Sequence, residues 1–136
     1  MDLAGSSGEL TEAELEFLNS VFDIVRQNKP LALQSLLDQG VPANLTNAQG
    51  DSLLILAAYH EHVQLLELLL AAGADVNAIN DRGQTALVCA VFKNNPDIVK
   101  LLLAAGADKQ LGSQSALQVA DFFGLEQMKE LLQATA

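Results

Sequence analysis

The sequence predicts an all-α solenoid of about four helix-turn-helix units joined by short hairpin-like loops. Three observations carry this. First, the chain repeats itself at an interval of 33 residues: Leu68-Leu-Leu-Ala-Ala-Gly-Ala-Asp75 recurs without change at Leu101–Asp108. Second, the apolar residues are mainly Leu and Ala, which favour helix, and fall on stripes at helical spacing. Third, glycines recur with the period, where each unit needs a turn. A fixed period of this length marks units that cannot shelter their apolar faces alone and do so by stacking.

In the second copy the first helix is expected near Ser52–His60, with Leu53, Leu56 and Ala57 on one stripe. The second is expected near Val63–Ala71, where Leu65, Leu66, Leu68 and Leu69 form a wider stripe facing its pair-mate and both neighbours. Gly73 and Gly106 stand just past the helix ends, where a left-handed residue closes the last turn. Gly50 and Gly83 are placed in the hairpin turns, with Asn77, Asn80 and Asp81 as turn formers. Pro30 and Pro96 open second helices, where a missing N–H is harmless. Ser52, Thr85 and Ser115 supply capping hydroxyls to the first helices.

A backward shift places Gly40 on Gly73, so residues 17–47 hold a divergent first copy. Thr11-Glu-Ala-Glu14 forms a capping box that starts its long first helix, expected to run to about Asn28. In the last copy Leu117 and Ala120 match Leu87 and Ala90 at a spacing of 30, so its hairpin has lost three residues. Its helices are expected at Ala116–Phe123 and Leu125–Ala134. Glu126, Gln127, Lys129, Glu130 and Gln133 give the last helix a polar side that seals the stack. The domain is read as residues 9–136, with repeats near 14–46, 47–79, 80–112 and 113–136. Residues 1–8 read as a flexible tail.

Asn80-Asp-Arg-Gly-Gln-Thr-Ala-Leu87, with Ala90, Ile98-Val-Lys-Leu-Leu-Leu103 and Gly106-Ala-Asp108, resembles the ankyrin repeat. The likeness runs over residues 17–132. Asn44-Leu-Thr-Asn47 and Ala57-Ala-Tyr-His60 are further similar to small single-domain bacterial members. The family pattern has Thr-Pro-Leu-His at the start of each first helix. Here Ser52-Leu-Leu-Ile55, Thr85-Ala-Leu-Val88 and Ser115-Ala-Leu-Gln118 keep the hydroxyl but lack the proline and histidine. Fewer hydrogen bonds between repeats are therefore expected.

The resemblance implies a protein-binding module (an adaptor, scaffold or inhibitor) whose partner sits on a concave face of first helices and loop tips. Two positions late in each first helix point into that groove: Tyr59-His60, Phe92-Lys93 and Phe122-Phe123. Four of the six aromatics in the chain fall on this ladder. Exposed rings on a rigid surface anchor partners; alternatively, they fill gaps between neighbouring helices. For Phe122 and Phe123, one ring is expected to cover core bared by the shortened hairpin. Gln49, Asp51, Asp81, Arg82 and Gln84 at the loop tips are read as a polar rim, or as solvated turn residues with Asp81 stabilising its own hairpin. The alternative function is a carrier of a small molecule or cofactor gripped by the aromatic strip.

The formal net charge of −10, from 17 acids and 7 bases, leaves no basic face for nucleic acid or an anionic membrane. The apolar run Leu65–Ala74 is too short to span a bilayer. Acid excess keeps a small domain dispersed, so a monomer is expected; it would also steer in a basic partner. His60 and His62 lie two apart, off a common helix face, so no metal is expected there. His62 matches the turn histidine of the ankyrin pattern, which implies a structural role. Cys89 replaces the Leu56 of the preceding copy and is read as a buried, inert thiol in a cytoplasmic protein. The glycines lie a repeat apart and serve turns, no nucleophile elbow surrounds a serine, and the carboxylates are expected to stay solvated. No cofactor and no enzymatic activity are expected.

Overall fold

The computed structural model describes residues 10–134, so the expected tail at 1–8 lies outside the described residues. Eight helices run α1 Glu12–Arg26, α2 Pro30–Asp38, α3 Leu53–Tyr59, α4 Val63–Ala71, α5 Ala86–Phe92, α6 Pro96–Ala104, α7 Ala116–Phe122 and α8 Glu126–Ala134. They form four antiparallel pairs stacked in two layers. The first helices pack in the order α1, α3, α5, α7, and the second helices in the order α2, α4, α6, α8.

Burial follows from this stacking. All six residues Leu53–Ala58 of α3 are buried, as are all six residues Ala86–Val91 of α5, because each helix has a neighbour on both sides and a pair-mate behind. In α7 only Ala116, Val119 and Ala120 are buried, since its outer side meets no further repeat. The second helices bury a single stripe: Leu65, Leu66 and Leu69 in α4, and Ile98, Val99 and Leu102 in α6. In α8, Glu126, Gln127, Glu130 and Gln133 are exposed, which gives the stack a wet end.

The helix starts are set by local chemistry. Thr11 caps α1 in a full capping box with Glu14, and Ser115 does the same for α7 with Gln118. The Ser52 and Thr85 hydroxyls accept from Ile55 N and Val88 N, each at 3.1 Å. Gly40, Gly73 and Gly106 close the second helices with φ between 87° and 95°. Each makes a Schellman pair, as in Gly73 N to Leu70 O and Ala74 N to Leu69 O.

The same closure ends the first helices, where its residues were not foreseen. Asn28, Glu61, Asn94 and Gly124 all take positive φ there. They therefore stop α1 at Arg26 and α3 at Tyr59, slightly short of the expected ends. Asn and Gly tolerate this conformation, whereas a glutamate carries a steric penalty of about 1–2 kcal/mol. Replacing Glu61 by asparagine, the residue of the first and third repeats, is expected to raise stability by about 0.5–1 kcal/mol in a urea titration.

The repeats are also joined by polar bonds. Asn44 Oδ1 accepts from Asp75 N at 2.7 Å, and one repeat later Asn77 Oδ1 accepts from Asp108 N at 2.8 Å. Asp81 N donates to Gln49 O, and Ser113 N to Gly83 O, linking successive hairpins. Only one antiparallel bridge, Thr46 with Ser52, gives a hairpin strand character among the described residues. The shortened last hairpin crowds against its neighbour: a Cβ on Gly112 would lie 2.9 Å from both Gln114 O and Gly83 O.

Candidate docking groove

The last turns of α3, α5 and α7, with the hairpin tips before them, form one continuous face. On it Tyr59 is 42% exposed, Phe92 52%, Phe122 79% and Phe123 51%. None of the four rings belongs to the buried core or to the apolar residues packed against it. The expectation that Phe122 or Phe123 covers bared core is not met, since neither is buried. Instead the rings meet edge-on: Phe92 and Phe123 have centroids 5.6 Å apart, and Phe122 and Phe123 4.9 Å. Edge-on packing at such distances is a favoured geometry of aromatic pairs.

Lys93 Nζ sits 4.2 Å from the Tyr59 ring centre, a cation–π contact that ties the third repeat to the second. His60 meets Tyr59 edge-on at 5.3 Å and stacks on His62 at 5.8 Å. Partial burial lowers the His60 pKa below its usual value, and the neighbouring His62, Arg26 and Lys93 lower it further. Each of these effects favours the neutral imidazole. His62 Nε2 lies 3.1 Å from Arg26 O, so this histidine bridges the first two repeats. Among the described residues no group of three or more His, Cys, Asp or Glu side chains could hold a metal ion.

The rim residues divide in two. Asp81, Arg82 and Gln84 lie at the tips as expected, with Asp81 and Arg82 exposed. Asp51 does not: it is 8% exposed and lies at the floor of the groove. Its Oδ1 accepts from Asn80 Nδ2 at 2.8 Å, and Arg82 approaches it at 3.9 Å. The expectation of uniformly solvated carboxylates fails here, because the hairpin of the third repeat folds over this one. Nor does Asp81 hold its own hairpin. Asn80 does, its Oδ1 accepting from Arg82 N and Gln84 N at 3.0 and 2.9 Å. Asn47 Oδ1 makes the same pair of bonds to Gln49 N and Asp51 N in the preceding hairpin.

Two open depressions flank Phe92. One, of about 410 Å³, lies between Tyr59, His60, Asp51 and Arg82, with Cys89 in its wall. The other, of about 520 Å³, lies between Phe92, Val88, Phe122 and Phe123. Burial pushes the Cys89 thiol up to about 11, with the Asp51 carboxylate adding to the effect and Arg82 and Lys93 opposing it. At pH 8 only about one thiol in a thousand is then ionised. Native protein is expected to react with a maleimide far more slowly than protein unfolded in urea, as followed by mass.

Arg26 was missed as a groove residue. It stands 33 positions before Tyr59, so it occupies in the first repeat the place that aromatics hold in the others. The period contained that signal, but a search for recurring aromatics passes over an arginine.

Comparison with known proteins agrees with this architecture. The family model for ankyrin repeats, in three copies, matches residues 21–113. An ankyrin repeat protein of Pseudomonas aeruginosa is 47% identical over 60 residues, which is 44% of this chain. The match spans 35% of that relative, so the two proteins share a segment rather than their full lengths. Proteins of this family are generally protein–protein interaction modules and typically not enzymes. No helix among the described residues is long and apolar enough to cross a membrane. With the repeat period, the paired helices and the family match in agreement, the chain belongs to the ankyrin-repeat family.

Proposed function

We propose that this protein binds a partner protein on the groove formed by α3, α5, α7 and their hairpin tips, acting as an adaptor, scaffold or inhibitor. The observation that carries this reading is the unburied aromatic strip Tyr59, Phe92, Phe123 and Phe122. These four rings lie on one face, none belongs to the buried core, and they take part in ring–ring and cation–π contacts. A stiff surface loses little entropy when a partner docks, so its apolar area converts efficiently into affinity. Asp81, Arg82, Gln84, His60 and Lys93 would supply the polar rim that orients the partner.

The test is the double variant Tyr59→Ala/Phe92→Ala used as bait in extracts of the native cell. Recovery of the partner is expected to fall at least about tenfold. Because both side chains are half exposed, the melting temperature should move little. Undiminished recovery of the same partner would count against the reading. A second reading, a flat small molecule held between Tyr59 and Phe92, rests on the 410 Å³ depression. That volume is within the range of ligand pockets. Native mass spectrometry of purified protein separates the two: a bound small molecule favours the carrier.

A further inference from the structure

The ladder that faces the groove changes character along the stack. From the first repeat to the fourth it reads Arg26-Gln27, Tyr59-His60, Phe92-Lys93 and Phe122-Phe123. One end is cationic, the middle mixed and the other end wholly apolar. Of the seven lysines and arginines in the sequence, three (Arg26, Arg82 and Lys93) collect on this face. Arg26 and Lys93 both stand close enough to the His60 ring to disfavour its protonated form.

The negative groups near the ladder are buried, paired or set at the groove's edge; Asp81 stays exposed at its hairpin tip, beside Gly50 of the preceding hairpin, outside the lining of both depressions. Asp51 is buried beneath Asn80, Asp23 is paired with Arg26 at 3.2 Å, and Asp121 is paired with Lys129 at 2.9 Å. Exposed Glu61 carries a bond from Asn95 at 3.2 Å. Acids such as Glu67, Asp97, Glu126 and Glu130 lie on the second helices. At physiological ionic strength a charge is screened over about 8 Å, so those outer acids act weakly across the stack. Both members of the Arg26–Asp23 pair are largely exposed, so the arginine can turn to a new carboxylate at little cost.

Resting on the docking reading above, we infer that the occupant of the groove is an extended protein segment that is acidic toward the first repeat and apolar toward the fourth. Stacked helices lie about 8–10 Å apart. An extended chain advances about 3.3 Å per residue. Each repeat is thus met by about three residues. An Asp or Glu opposite Lys93 stands about three residues from an apolar side chain resting against Phe122 and Phe123, and one opposite Arg26 about six from Phe92 and about nine from Phe122 and Phe123.

The experiment pans a phage-displayed library of random linear peptides against the full chain. Enrichment of sequences with an Asp or Glu about three to nine positions from an apolar anchor is expected. Replacing that acid by lysine in an enriched peptide should weaken binding about tenfold in fluorescence anisotropy. In the protein, Arg26→Glu/Lys93→Glu should weaken the acidic peptide by a similar factor and leave the melting temperature nearly unchanged. Enrichment of basic peptides, no enrichment, indifference to the charge reversals, or preferential binding of a single-stranded oligonucleotide would each overturn the inference. The Tyr59→Ala/Phe92→Ala variant separates this failure from failure of the docking reading. If it abolishes binding of peptides that show no acid preference, the groove stands and the segment chemistry falls. If acidic–apolar peptides bind that variant unchanged, the groove itself falls.

Discussion

Leu87→Ala is expected to destabilise the protein by about 3–5 kcal/mol. Leu87 is 1% exposed at the start of α5, which packs between α3 and α7 with α6 behind it. Truncation removes apolar contact and leaves a cavity that the surrounding helices cannot readily close, since each is held by its own pair-mate. The loss is a large part of the roughly 5–15 kcal/mol that separates a folded domain from its unfolded chain. Position in the stack adds to the effect, because a weakened third repeat deprives the second and fourth of a neighbour. Urea unfolding followed by circular dichroism measures it, with Leu31→Ala as the control. Leu31 is exposed on α2, so its truncation should fall within about 0.5 kcal/mol of the parent. A loss below about 1 kcal/mol for Leu87→Ala would show that α5 is not under inter-repeat packing.

Asn80→Ala comes next, with an expected loss of about 2–3 kcal/mol from a buried polar side chain. Asn80 is buried and does two jobs at once. Its carbonyl oxygen accepts from Arg82 N and Gln84 N, which shapes the hairpin of the third repeat. Its amide donates to Asp51 and Gln84, at 2.8 and 3.0 Å. Alanine removes all four bonds and leaves a buried carboxylate without its shortest partner. Asn80→Asp keeps the acceptor but sets a second carboxylate beside Asp51, so it should also destabilise the protein. Its loss should shrink as pH falls through the carboxylate range and the like-charge repulsion is relieved. Equal stability of both variants and the parent in urea would mean that the Asp51–Asn80 link does not bear on folding.

The repeat and its helices were legible because they rest on local, periodic signals. Leu68–Asp75 recurring at Leu101–Asp108 fixed the period, and Ser52, Thr85 and Ser115 marked helix starts through a hydroxyl whose capping chemistry is local. What escaped depends on neighbours that only the stack brings together. Asp51 looked like a loop-tip acid, and only the next hairpin, 29 residues on, buries it under Asn80. One of Phe122 and Phe123 was expected to cover core bared by the shortened hairpin, but both stay exposed and pack edge-on with each other and Phe92. Glu61 gave no turn signal of its own. The backbone closure shared with Asn28, Asn94 and Gly124 imposes positive φ on whatever residue stands there. Arg26 required the period to be carried back one step past the last aromatic.

The most direct test of the docking account is a hydrogen-exchange footprint of the complex recovered from the native cell, compared with free protein. Amides of the hairpin tips at 49–51 and 81–84, and those at the ends of α3 and α5, should exchange more slowly in the complex. Those of α4 and α6 on the opposite layer should be unchanged. Slowed exchange confined to α4 and α6, with the tips and the ring-bearing turns as open as before, would contradict it.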